Sequence, residues 1–98
     1  MTNLNKFQGV ATSVRRLTSG MVVGQYHNTS VAEVLGSNVR LDTGGYRTRT
    51  TKVRMNQFAN QFCDGAFQVY QKNGDWFVSV KTKNLTHKFE GRALEFDV

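Results

Sequence analysis

The stretch Phe67-Gln68-Val69-Tyr70-Gln71-Lys72-Asn73-Gly74-Asp75-Trp76-Phe77-Val78-Ser79-Val80 constrains this chain more than any other. Two runs rich in aromatic and β-branched residues flank Asn73-Gly74, and both residues of that dipeptide tolerate the positive φ of a type I′ turn. The segments Phe67 to Lys72 and Asp75 to Lys81 are therefore expected to form an antiparallel hairpin. A two-residue turn sets Val69 opposite Val78, Phe67 opposite Val80 and Gln71 opposite Trp76. One face then carries Phe67, Val69, Trp76, Val78 and Val80, and it must be buried. The other carries Tyr70 opposite Phe77, among Gln68, Ser79, Lys72 and Lys81.

The natural cover for the apolar face is a helix over Thr50–Phe62, where Met55, Phe58, Ala59 and Phe62 form an i, i+3, i+4, i+7 stripe. Thr50 is a suitable N-cap, and Asp64-Gly65 a suitable stop. Upstream, Ser30 to Leu35 and Val39 to Thr43 read as two strands joined by Gly36-Ser37-Asn38. With a two-residue loop, Val34 is expected opposite Leu41, which also opposes Glu33 and Asp42 and argues for solvent exposure there or for a slightly different register. Leu4, Phe7, Ala11 and Val14 fall at helical spacing, weakened by Gly9, Thr12 and Ser13. Gly20 would end such a helix, and Met21 to Tyr26 would be extended. His87 to Val98 alternates with a phase change near Arg92, the pattern of one last strand with a bend or turn.

The sum is an α+β fold: a small antiparallel sheet in the order β-β-α-β-β-β, one amphipathic helix on one face, and an N-terminal element that reads as a helix, a strand or a tail. Ninety-eight residues suffice for one hydrophobic core. Residues 1–98 are thus expected to be one domain, with 1–28 as an N-terminal extension and 29–98 as the core.

Composition narrows the function classes. Hydrophobic residues are 39% and charged residues 20% of the chain, as in ordinary globular proteins. Cys63 has no partner for an internal disulfide, Arg15 and Arg16 stand where a signal peptide needs an apolar run, and no stretch is apolar enough to span a membrane. A reducing cytoplasm is the expected setting. His27 and His87 lie on separate elements with no carboxylate spaced to orient them, and Asp64 beside Cys63 disfavours a thiolate. No catalytic site, metal site or cofactor is therefore expected.

The net charge is +6, and its distribution matters more than its total. No acid occurs from Met1 to Ala32 or from Thr43 to Phe62. Within the second span, Arg47, Arg49, Lys52 and Arg54 gather at the start of the expected helix, where the macrodipole is already positive. Free amides there, the hydroxyls of Thr48, Thr50 and Thr51, and Gly44-Gly45 resemble a phosphate-accepting site, with Tyr46 as a stacking surface. A solvated loop whose side chains diverge accounts for the same residues. The spacing is not that of a P-loop. Tyr70 and Phe77 read either as a base-stacking pair or as a cross-strand pair covered by the N-terminal segment.

The run from Asn38 to Gln57, with its core Thr43-Gly44-Gly45-Tyr46-Arg47-Thr48-Arg49-Thr50-Thr51-Lys52-Val53-Arg54-Met55-Asn56-Gln57, together with Phe67 to Val78, resembles a recurring family of small tailed-bacteriophage proteins. The resemblance covers roughly residues 29 to 80. It implies a phage product acting in the cytoplasm of an infected bacterium, adds no established activity, and leaves Met1 to Asn28 as a departure from the family pattern. Two functions fit these readings, with a virion component as a third. One is a non-catalytic accessory protein binding DNA or RNA with weak sequence preference through Tyr46, Arg47, Thr48, Arg49, Thr50, Lys52 and Arg54. The other is an inhibitor or counter-defence protein docking on an acidic surface of a host protein.

Overall fold

A computed structural model describes residues 3–98. In chain order it contains β1 (Thr12–Arg16), β2 (Val22–Tyr26), β3 (Thr29–Leu35), β4 (Asn38–Asp42), α1 (Arg49–Phe62), β5 (Phe67–Lys72), β6 (Asp75–Val80), β7 (Leu85–Lys88) and β8 (Ala93–Asp97). All strand pairs are antiparallel, in a five-stranded sheet β1-β2-β3-β4-β8 and a three-stranded sheet β5-β6-β7. The α+β class with antiparallel sheets and one helix is the class expected from sequence.

The β5–β6 hairpin has the expected register, Phe67 with Val80, Val69 with Val78 and Gln71 with Trp76. Asn73 and Gly74 take φ of 53° and 84°, as the turn requires. Phe67, Val69, Trp76, Val78 and Val80 are all buried. Met55, Phe58 and Ala59 of α1 are buried too, with Phe62 packed at the margin. From the larger sheet, Val22, Val31, Ala32, Val34, Val39, Leu41 and Phe96 join this one core. The Phe67 and Phe96 rings meet edge to face at 5.3 Å and tie the two sheets together.

Several expectations give way to tertiary pairing. The N-terminal segment is not a helix: Gly9 (φ 146°) and Ala11 (φ 54°) take conformations a helix excludes, and Thr12–Arg16 pairs with β2. Gly36 and Ser37 alone form the β3–β4 turn, so Val34 faces Val39 and Glu33 faces Arg40. This register replaces the like-charge pair by an ion pair of 3.4 Å between Glu33 and Arg40. The helix begins earlier than expected, because Thr48 rather than Thr50 is the N-cap: its backbone is extended and its hydroxyl accepts the Thr51 N–H at 3.2 Å. The single bent last strand is two strands in different sheets, β7 on β6 and β8 on β4. Buried Phe89 lies between them and donates its N–H to the Trp76 carbonyl at 2.8 Å.

The helix also carries a polar row. Asn56-Gln57-Phe58 recurs four residues later as Asn60-Gln61-Phe62, so like residues stack on neighbouring faces. Asn56 pairs with both backbone groups of Val69 on the β5 edge, at 2.7 and 2.9 Å. Gln57 and Asn60 donate to the carbonyls of Asn3 and Leu4, and Gln61 accepts the Phe7 N–H. Residues 3–9 have no neighbouring strand, so these amides supply the partners their backbone needs. Phe7 is thereby set edge-on to Phe58 at 5.8 Å.

Gly24 marks where helix, N-terminal segment and sheet come closest. A Cβ there would lie 2.8 Å from both Phe58 and Phe7. We expect Gly24→Ala to destabilise the fold by about 1–3 kcal/mol in urea denaturation. Gly91→Ala, whose Cβ would meet nothing closer than 3.8 Å, should be nearly neutral.

Candidate functional site

The loop between β4 and α1 is built around Asp42. Its carboxylate accepts the Gly44 N–H at 2.7 Å and the Arg92 Nε–H at 3.0 Å, and pairs with Arg40 at 3.5 Å. Burial pulls its pKa upward, but the Gly44 amide and the Arg92 and Arg40 charges outweigh that and hold it below the usual value of 3.8. Thr43 continues the scaffold: its hydroxyl accepts the Gly45 N–H, and its carbonyl accepts the Tyr46 N–H at 3.0 Å. Gly44 takes φ 67° and passes so close to Thr29 that a Cβ would lie 2.4 Å from its hydroxyl. The loop's amides are therefore turned onto Asp42 and Thr43. They do not form the open anion cradle read from the paired glycines.

The four cations of this region diverge. Arg47 donates to the carbonyls of Glu90 and Gly91, the latter at 2.8 Å, and lies over the Trp76 and Phe89 rings at 5.5 and 5.6 Å. Lys52 donates to Gln71 Oε1 at 2.9 Å and also faces the Trp76 ring. Arg54 turns the opposite way: it donates to the Thr12 hydroxyl and to Gln57 Oε1, and stacks on Tyr26 at 5.5 Å. Arg49 is exposed and makes no side-chain bond among the described residues. Thr48 caps α1, Thr51 is buried against it with the two hydroxyls 3.0 Å apart, and Thr50 is half-buried.

Three of these cations thus act as intramolecular clamps. Among the described residues they pair with no carboxylate, but find carbonyl oxygens, side-chain oxygens and ring faces instead.

On the β5-β6-β7 sheet, Tyr70 and Phe77 are cross-strand partners on the outer face. Their rings are near-parallel, 22° apart with centroids at 5.5 Å, and each is half-buried. The N-terminal segment is bonded to α1, and its Leu4 reaches the groove beside Tyr70. Exposed Lys72 and Lys88 lie on strands of this sheet, and exposed Lys81 and Lys83 on the 3-10 turn between β6 and β7. At its β5 edge a groove of about 390 Å³ brings Tyr70 together with Leu4, Arg49, Lys52 and Gln71.

A separate cavity of about 460 Å³ opens on another side of the helix start, lined by Tyr26, His27, Asn28, Thr29, Val31, Thr43, Tyr46, Thr48 and Thr51. The first six of these were not candidate site residues. No local signal marks them, because the cavity exists only where the β2–β3 turn meets the glycine loop.

Burial, followed by the charge of Asp64, pushes the Cys63 thiol up to about 11, which leaves it a poor nucleophile at neutral pH. Among the described residues no three His, Cys, Asp or Glu side chains gather where a metal could sit, and no helix is long and apolar enough to cross a membrane.

These features describe a small α+β protein whose basic loop and helix start are largely internal supports, beside a half-buried aromatic pair on the outer face of the smaller sheet. The chain belongs to the Kyanoviridae Gp96 protein family, a phage family whose model matches residues 1–95. The match takes in residues 1–28 as well as the span from 29 to 80. No curated protein and no solved structure matches the chain.

Arg47 separates a clamp from an anion site. Arg47→Lys keeps the charge but loses the fork that reaches two carbonyls. We expect a loss of about 1 kcal/mol in urea denaturation, with faster amide exchange across residues 89–97; unchanged stability would refute the clamp. Asp42 makes the fold acid-sensitive. Because its pKa is depressed in the folded state, its stabilisation is complete above the ordinary value of 3.8 and is lost as pH falls through the lower folded value. Denaturation midpoints of wild type should therefore drop more steeply in that acid window than those of Asp42→Asn, and the two should converge at the lowest pH.

Proposed function

We propose that this protein binds single-stranded nucleic acid, without catalysing a reaction, on the outer face of the β5-β6-β7 sheet. The observation that carries the reading is the near-parallel, half-buried Tyr70–Phe77 pair on the outer face of that sheet, with exposed Lys72 and Lys88 on the same strands. Bases have π-faces whatever their sequence, so such a pair stacks them with little discrimination, while the cations hold phosphates. Lys72, Lys81 and Lys83 supply that charge at the sheet, and Arg49 supplies it at the groove beside Tyr70. Lys88 contributes less, being paired with Asp75 and Glu90 at 4.0 and 3.3 Å.

This reading moves the centre of binding from the helix start to the sheet. Of the basic residues at the helix start, it keeps Arg49 as the direct phosphate contact. The partner would be DNA or RNA in the infected bacterium, with weak sequence preference.

The test is fluorescence anisotropy with labelled single- and double-stranded DNA and RNA over a salt series. Tyr70→Ala should weaken single-strand binding by about 1–3 kcal/mol, or roughly five- to hundredfold, and Tyr70→Phe should restore it. Lys72→Gln should lower the salt slope by about one. Absence of binding at low salt would defeat the reading and turn attention to docking on an acidic host protein.

A further inference from the structure

We propose that the cavity between the His27-Asn28 turn, the glycine loop and the first turn of α1 binds a single nucleobase. The site is distinct from the outer sheet face and stands whether or not that face binds a strand.

The argument begins with the shape. About 460 Å³ lies within the range of small-molecule sites, roughly 300–1,000 Å³. That is room for one base and its sugar. Next comes the charge. The lining contains no carboxylate, lysine or arginine, so neither a metal ion nor a free phosphate finds a counter-charge in it. What remains are three rings, a buried valine, hydroxyls and one amide.

The rings are held differently. Tyr26 is fixed from outside by the Arg54 guanidinium and from the side by His27, whose ring centroid is 4.4 Å away. Tyr46 is anchored by its backbone N–H on the Thr43 carbonyl, yet the residue is 71% exposed. A large ring left in water on a rigid loop is unsatisfied apolar surface, which a flat ligand would cover. Val31, only 1% exposed, closes the base of the cavity.

Polar groups at the rim favour a heteroaromatic ring over a hydrocarbon one. The Asn28 amide and the Thr29 hydroxyl are neither buried nor bonded through their side chains among the described residues. An amide offers a donor and an acceptor side by side, the pattern a base edge presents. The base could come from a free nucleoside or from an unstacked residue of a single strand, and the two sources are separable.

The experiment uses the full chain as wild type, Tyr46→Ala, Tyr46→Phe and Tyr70→Ala. Adenosine and uridine are titrated with saturation-transfer NMR as readout, and a labelled single-stranded oligonucleotide by anisotropy. The exposed Tyr46 ring can be removed without unfolding the chain, which a thermal melt of each variant verifies. Binding of a nucleoside that Tyr46→Ala weakens by about tenfold or more, that Tyr46→Phe preserves and that Tyr70→Ala leaves unchanged supports the proposal with a free nucleoside as ligand. No nucleoside binding, with oligonucleotide affinity reduced as strongly by Tyr46→Ala, supports it with the strand as source. Oligonucleotide affinity sensitive to Tyr70→Ala alone, without nucleoside binding, overturns the cavity proposal and leaves the sheet-face reading intact. Nucleoside binding without oligonucleotide binding does the reverse. If neither ligand binds, both are overturned.

Discussion

Everything else in this structure depends on how α1 satisfies backbone groups that have no strand to pair with. The helix lies between a five-stranded and a three-stranded sheet, and it meets two stretches of chain with open hydrogen-bonding edges, β5 and residues 3–9. Left buried and unpaired, such groups would cost roughly 1–3 kcal/mol each. Asn56 removes that penalty at buried Val69 and Gln61 at buried Phe7, and Gln57 and Asn60 fasten the chain at Asn3 and Leu4, five hydrogen bonds of 2.6–2.9 Å in all. The same helical spacing that turns Phe58 into the core turns these amides to its flanks. Among the described residues no buried side-chain polar atom lacks a partner.

Fixing the N-terminal segment in turn settles what Arg54 does. With residues 3–9 laid along the helix, Gly9 passes so close that a Cβ would lie 1.9 Å from the guanidinium. Arg54 is left to bind Thr12 and Gln57 and to cover Tyr26. Arg47 and Lys52, on the other side, converge on Trp76. Four of the seven acids, Glu33, Asp42, Glu95 and Asp97, meanwhile fall on strands β3, β4 and β8. Those four acids share the larger sheet with Arg15, Arg16 and Arg40, whereas the smaller sheet carries Lys72, Lys88 and a single acid, Asp75.

Legibility followed sequence separation. The β5–β6 hairpin and the body of α1 were readable because each is decided within a dozen or so residues, by turn chemistry and by apolar period. The β3–β4 register was not, although its flaw was: opposing Glu33 and Asp42 was a visible conflict, and a shift that lets Glu33 meet Arg40 resolves it. The N-terminal spacing misled because Leu4 and Val14 point to solvent and only Phe7 enters the core. The phase change near Arg92 was real, but local pattern carries no record of which sheet a strand joins.

For the candidate site the division is sharper. Residue types alone determined that Arg47, Arg49, Lys52 and Arg54 would crowd a helix start and that Tyr70 would face Phe77 across a hairpin. Only the tertiary structure decided that three of those cations bind oxygens and rings of the chain itself, that Tyr70 and Phe77 end half-buried, and that Tyr26 and Tyr46 border one cavity. The reason is range. Turn geometry and helical period act between near neighbours, whereas a guanidinium reaching the Glu90 carbonyl, or a glycine loop set against Thr29, requires distant segments to be packed first.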